Sequence, residues 1–202
     1  MAVATVGPAG AQNPPPQTAA DAARDAQRTK LAAGLHAGGV VLALRHAQAP
    51  GTFDPPGFDL ARCETQRNLG DEGRAQATRI GQWLRSQGLA PVAVRSSPWC
   101  RCRDTAQIAF GRAEVWSALG SPARSDATAR AAQQATLRRA LLAASTRRGE
   151  FEAWVTHQFV LRDLTGESTG DGEALLLRMR SAPTTTAGAL PEAEVLARAW
   201  LH

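Results

Sequence analysis

Apolar residues along this chain follow two rhythms, and their alternation predicts the fold. Behind Gly38 and Gly39 runs Val40-Val41-Leu42-Ala43-Leu44, a continuous apolar stretch of strand length, as expected for a strand buried on both faces. Residues 91–95, 113–116, 151–156 and 173–179 are further short segments that read as strands. Between them the spacing turns helical. Residues 20–35 are helical in composition and end at the glycine pair. Residues 70–87 place Ile80, Trp83 and Leu84 on one face, and 126–145 carry the stripe Leu137, Leu141, Leu142. Pro98 suits the first turn of a helix reaching about Phe110. Residues 158–164 read as a helix directly after a strand, and the apolar stretch 190–201 reads as a last helix. Residues 49–68 hold Pro50, Gly51, Pro55, Pro56 and Gly57 and read as a loop.

Strands alternating with helices predict a three-layer α/β/α sandwich around a mostly parallel central sheet. Ligands of such folds bind beyond the carboxyl ends of the strands. Residues 1–19 are rich in Pro, Ala, Gly and Gln and read as a disordered leader or signal remnant, 20–180 as one domain, and 181–202 as a C-terminal extension. No internal repeat is visible.

Composition adds three constraints. The chain has 202 residues, 44% of them hydrophobic, enough for one domain with a sizeable core. Its net charge is 23 − 18 = +5, almost all of it arginine, since Lys30 is the single lysine. Arginine suits phosphate and carboxylate, although an Ala- and Arg-rich chain also reflects high-GC codon usage. Basic residues do not alternate with aromatics and Tyr is absent, which argues against a nucleic-acid groove. No stretch is long and apolar enough to span a membrane. The small residues ending in Ala9-Gly10-Ala11 resemble the tail of an export signal, so a remnant of such a signal is expected and with it a periplasmic or secreted location, a cytoplasmic one being the alternative. Cys63, Cys100 and Cys102 allow one disulfide and a spare thiol. Without a CxxC pair, and with four histidines, a zinc site is not expected, and neither is another cofactor.

The chemistry sits just past strand ends. Leu44-Arg45-His46-Ala47 follows the first strand, Ser96-Ser97-Pro98-Trp99-Cys100-Arg101 the second, and Thr156-His157-Gln158 the fourth. Ends of one parallel sheet point the same way, so Arg45, His46, Arg101 and His157 are expected to converge. Two arginines bind phosphoryl oxygens in forked fashion, and a neutral histidine is a competent nucleophile. Surrounding positive charge favours that neutral form.

These segments resemble the histidine phosphatase superfamily, the phosphoglycerate mutase-like proteins. Leu44-Arg45-His46-Ala47 resembles the Arg-His-Gly signature, with Ala47 in place of glycine. Gly73-Arg74-Ala75-Gln76-Ala77 resembles its Gly-x-x-Gln-Ala helix, Ser96 to Ala106 its second-arginine motif, and Thr156-His157 its second histidine. The resemblance spans about residues 38–180. Cys63 to Leu69 and Cys100 resemble an uncharacterised bacterial, often exported branch, which implies a Cys63–Cys100 disulfide and leaves Cys102 spare.

The resemblance implies a metal-independent phosphoric monoester hydrolase acting on a small phosphorylated substrate. Arg45, Arg101 and His157 would bind the phosphoryl group, and His46 would become transiently phosphorylated. The general acid is where this chain departs from the pattern. Gln158 stands where some members have an acid, and Glu114, Asp126 and Glu173 are the candidates elsewhere. Arg67 and Arg74 read as solvated rather than as ligands. The alternative is a non-catalytic phosphate- or sugar-phosphate-binding module of the same fold. Mutase activity is the weakest reading, because the long insertions of mutases are missing.

Overall fold

The computed structural model describes residues 18–122, 125–180 and 192–202. Residues 1–17 of the expected leader and 181–191 of the expected extension lie outside the described residues. Thr18 and Ala19, read as the leader's end, belong to the first helix, α1 (Ala19–Ala37). Thr18 caps it, taking the Asp21 N–H at 3.2 Å while its own N–H reaches the Asp21 carboxylate at 3.3 Å.

Six strands build one sheet: β1 (Val40–Arg45), β2 (Ala93–Ser96), β3 (Glu114–Val115), β4 (Phe151–Thr156), β5 (Glu173–Met179) and β6 (Ala193–Trp200). Their order is β3-β2-β4-β1-β5-β6. β3, β2, β4 and β1 run parallel, while β5 is antiparallel to both β1 and β6. Helices α2 (Asp71–Ser86), α3 (Cys100–Phe110), α4 (Ala127–Ser145) and α5 (Gln158–Thr165) connect them.

Side-chain alternation in β1 assigns the layers. Val40, Leu42 and Leu44 join the core under α1, α2 and α3, with Leu31, Leu35, Ile80, Leu84 and Ala106. Val41 and Ala43 face the other way and join Leu137, Leu141, Leu161 and Leu164 of α4 and α5. A strand apolar on both faces is thereby covered on both faces, as parallel strands require.

Two expectations are corrected. Pro98 stands before the helix rather than in its first turn: Trp99 is the cap of α3. The apolar tail is no helix but strand β6, paired along β5 and integral to the sheet. A register shift at Leu176/Leu177 turns the strand partway. Ala193 and Val195 consequently pack on the α4/α5 side, and Ala197, Ala199 and Leu201 on the other. Arg28 of α1 fastens this tail, donating to the carbonyls of Trp200 at 2.8 Å and His202 at 2.6 Å.

Candidate active site

Parallel register brings three chain segments to one edge of the sheet. Arg45 lies opposite Thr156, and Ser96 opposite Val155. The ladder continues one residue past the strands, from His46 N to Thr156 O (2.9 Å) and from Ser97 N to Val155 O (2.9 Å). After this edge β1 leads to α2 on one face and β4 leads to α5 on the other. Adjacent strands whose chains part to opposite faces leave a crevice between them, the usual ligand site of such sheets. A cavity of about 350 Å³ opens there, lined by Arg45, His46, Arg101 and His157, with Gly51, Thr52, Phe53, Asp54, Arg67, Ser121, Gln158, Phe159 and Asp171.

His46 is buried, and its Nδ1 lies 2.8 Å from the Ala47 carbonyl oxygen. A carbonyl only accepts, so Nδ1 carries the proton and the lone pair remains on Nε2. Burial, joined by the charges of Arg101, Arg67 and Arg45 and opposed by the Ala47 bond, lowers its pKa to about 3. The imidazole is neutral at pH 7. Ala47 needs no glycine freedom, because no non-glycine among the described residues has positive φ. Its N–H donates to Thr105 Oγ1 at 3.0 Å, and it packs with Ala49, Leu69 and Ala77.

The Gly-x-x-Gln-Ala helix holds this segment from behind. A Cβ on Gly73 would stand 1.9 Å from the Gln48 carbonyl oxygen, so only glycine lets α2 approach so closely. Gln76 then accepts from Gln48 N at 2.8 Å and donates to the Asp171 carbonyl at 2.9 Å. It ties the turn after β1 to the turn before β5.

His157 caps α5 and packs edge-on to His46, ring centroids 5.6 Å apart. Its Nε2 meets Ser97 Oγ at 2.8 Å and its Nδ1 meets Arg101 Nη2 at 3.4 Å. A guanidinium only donates, so Nδ1 accepts and Nε2–H points to Ser97. Burial, then the proximity of His46 and Arg101, holds this imidazole well below its ordinary pKa. The first turn of α5 has no side-chain cap, and its Gln158 and Phe159 line the cavity, which adds the positive end of a helix to the site.

Three guanidinium groups, not two, surround the cavity. Arg67, expected to be solvated, is half-buried, with its Nη1 2.5 Å from the Ala49 carbonyl. The Nε atoms of Arg45, Arg67 and Arg101 are all buried without a hydrogen-bond partner. Two carboxylates face this cluster: Asp54 on Arg101 and Asp171 on Arg45. Arg74 is exposed and pairs with Asp104. Trp99 packs behind His157, edge-on with ring centroids 5.0 Å apart.

None of the expected acids lines the cavity. Glu114 is exposed on the edge strand β3, and Asp126 caps α4 by accepting the Ala129 N–H at 2.8 Å. Glu173 is buried, but it accepts from Gly170 N at 2.8 Å and Arg198 Nε at 2.7 Å. Asp126 and Glu173 are engaged by local structure and Glu114 lies on the far edge of the sheet, so none of the three reaches the cavity. Asp54 and Asp171 gave no motif signal; both sit in loops that only the fold brings to the cavity beside His46. Cys63 and Cys100 are disulfide-bonded, and Cys102 is a buried free thiol.

Residues 41–119 match the model of the Histidine phosphatase superfamily (branch 1). No curated protein matches the chain. Among solved structures, a putative alpha-ribazole-5'-P phosphatase from Escherichia coli str. K-12 substr. MG1655 superposes with TM-score 0.57 at 12% identity, covering 80% of this chain and 97% of that one. A mycobacterial glucosyl-3-phosphoglycerate phosphatase, Rv2419c, gives TM-score 0.54 at 16% identity, covering 77% and 96%. The protein histidine phosphatase SixA, complexed with tungstate, gives 0.50 at 17%, covering 80% and 97%. At these identities the likeness is one of fold.

Proposed function

We infer that this chain belongs to the histidine phosphatase superfamily, whose model matches residues 41–119, and that it is a phosphatase hydrolysing a small phosphorylated substrate through a phosphohistidine on His46. One observation carries the reading. His46 is buried, neutral and fixed by the Ala47 carbonyl with Nε2 unprotonated, beside three arginines. Nε2 attacks phosphorus, and the Ala47 carbonyl keeps Nδ1–H in place and favours the positive charge that the ring gains. Arg45, Arg67 and Arg101 with the α5 N-terminus offset the charge on the phosphoryl oxygens, where such donors count most in the transition state. His157, both of whose nitrogens are engaged, orients Arg101 and walls the nucleophile. Water then attacks the phosphohistidine and returns the electron pair to Nε2.

The arginines supply the positive charge that a metal brings elsewhere, so turnover is proposed to be metal-independent. The names of the similar structures, a putative alpha-ribazole-5'-P phosphatase, a glucosyl-3-phosphoglycerate phosphatase and a protein histidine phosphatase, support phosphatase chemistry here. The Cys63–Cys100 disulfide supports work in an oxidising compartment, periplasmic or extracellular.

Hydrolysis of p-nitrophenyl phosphate with EDTA present, by wild type and His46→Ala, tests the reading. Wild type is expected to turn over and His46→Ala to lose about four or more orders of magnitude. Acid-quenched wild type should hold phosphate on His46 by mass spectrometry. Near-normal turnover by His46→Ala would sink the mechanism, and a well-folded wild type that binds phosphate without turnover would leave a binding module.

A further inference from the structure

We propose that Asp171 is the general acid of this site, the group that protonates the leaving oxygen. The assignment rests on the phosphatase reading above and supplies the one component missing from it.

Two carboxylates line the cavity, Asp54 and Asp171, and they are bound differently. Asp54 is saturated. Its Oδ1 accepts from Arg101 Nη1 at 2.8 Å and Arg67 N at 2.9 Å, its Oδ2 from Arg101 Nη2 at 3.2 Å and Trp99 Nε1 at 3.1 Å. Burial pushes this carboxyl up, but the bonds from Arg101 and Arg67 outweigh it and hold the group below its ordinary value. It stays ionised and holds Arg101, Arg67 and Trp99 together, so it is a positioning residue.

Asp171 has one partner. Its Oδ1 lies 2.7 Å from Arg45 Nη2, an ion pair without hydrogen-bond alignment, and the side chain is 30% exposed where it meets the cavity. Its backbone is pinned to the nucleophile on both sides. The Asp171 carbonyl accepts from Gln76, and Gly172 N donates to the His46 carbonyl at 3.1 Å. A phosphoryl group seated on Arg45 would lie beside the Asp171 carboxyl, the placement that an acid for the leaving oxygen requires.

The step balances as follows. The Nε2 lone pair forms the N–P bond, the P–O bond breaks with its electrons on the leaving oxygen, and the Asp171 proton moves to that oxygen. Alcohol, phosphohistidine and Asp171 carboxylate result. The carboxylate then takes a proton from the attacking water, the N–P bond breaks toward Nε2, and protonated Asp171 is restored with release of phosphate.

The test is kcat/KM across a leaving-group series, from 2,4-dinitrophenyl phosphate through p-nitrophenyl and phenyl phosphate to glycerol phosphate, for wild type, Asp171→Asn and Asp54→Asn. A leaving group that departs unaided needs no acid. Asp171→Asn is expected to stay within several-fold of wild type on the dinitrophenyl ester and to lose about 10²–10⁴-fold on glycerol phosphate. Asp54→Asn is expected to lose activity evenly across the series. An even loss in Asp171→Asn, no loss, or a leaving-group dependence in Asp54→Asn instead would overturn the assignment. Asp171→Ser is assayed the same way should the Asn variant not fold. Wild type inactive on the whole series would overturn the phosphatase reading itself, whereas active wild type with a flat Asp171→Asn profile overturns only the acid.

Discussion

The two halves of the pocket are built by different means. His46 and His157 emerge from strand ends locked by parallel register, and both rings are buried and neutral. Asp54, Arg67 and Asp171 come from loops held by ion pairs, side-chain hydrogen bonds and, for the 49–68 loop, the Cys63–Cys100 disulfide. The sheet half needs the nucleophile in one tautomer and one place, which a backbone ladder enforces. The loop half brings one arginine and two carboxylates to the arginines of β1 and α3, and its charges are held by pairing rather than by a backbone ladder. The contrast teaches that the place of His46 is a property of the sheet, and the charge balance around it a property of the loops.

Arg101 stands where the halves meet, touching both His157 and Asp54. Arg101→Ala is therefore expected to have the largest effect after loss of His46, about 10²–10³-fold in kcat/KM, against a smaller loss for Arg67→Ala. Equal losses in steady-state kinetics would show that the loop arginine is no lesser partner.

Removing the disulfide separates the halves. Cys63→Ser, or reductant, releases a 37-residue loop and is expected to cost about 3–4 kcal/mol of stability. Denaturant unfolding measures this. Tungstate affinity should fall in the same variant while the NMR signals of His46 stay unchanged; a shifted His46 would mean that the halves are not independent.

The most gradual expected effect is on pH. His46 has a folded pKa of about 3, below the ordinary 6.5, so between these values the unfolded chain takes up a proton that the folded one refuses. Folding stability should fall as pH drops through that window, by up to about 1.4 kcal/mol per pH unit for this group, with no contribution above it. Histidine NMR at pH 5 should still show a neutral His46 ring protonated at Nδ1. An imidazolium there would break the account of the sheet half.

Much of this was legible in the residue order. Five of the six strands were readable as short segments between helices, β1 most clearly, because a strand covered on both faces must be apolar at successive positions. The convergence of Arg45, His46, Arg101 and His157 followed from their places after such runs. β6 was not readable as a strand. Its Ala, Leu and Glu residues favour a helix, and only pairing with β5 makes the alternation of Ala193, Val195, Ala197 and Ala199 decisive. The candidate acid Glu173 fell outside the cavity for a related reason: nothing along the chain shows that Arg198 on β6 pairs with it.

The sequence alone determined the layered α/β plan and the meeting of Arg45 and His46 with Arg101 and His157, because local apolar rhythm and strand-end chemistry are written along the chain. The tertiary structure decided the third arginine, the two pocket carboxylates and the His46 tautomer. Each of these depends on which groups from distant loops share a low-dielectric cavity, and charge pairing across such distances leaves no periodic trace in the order of residues.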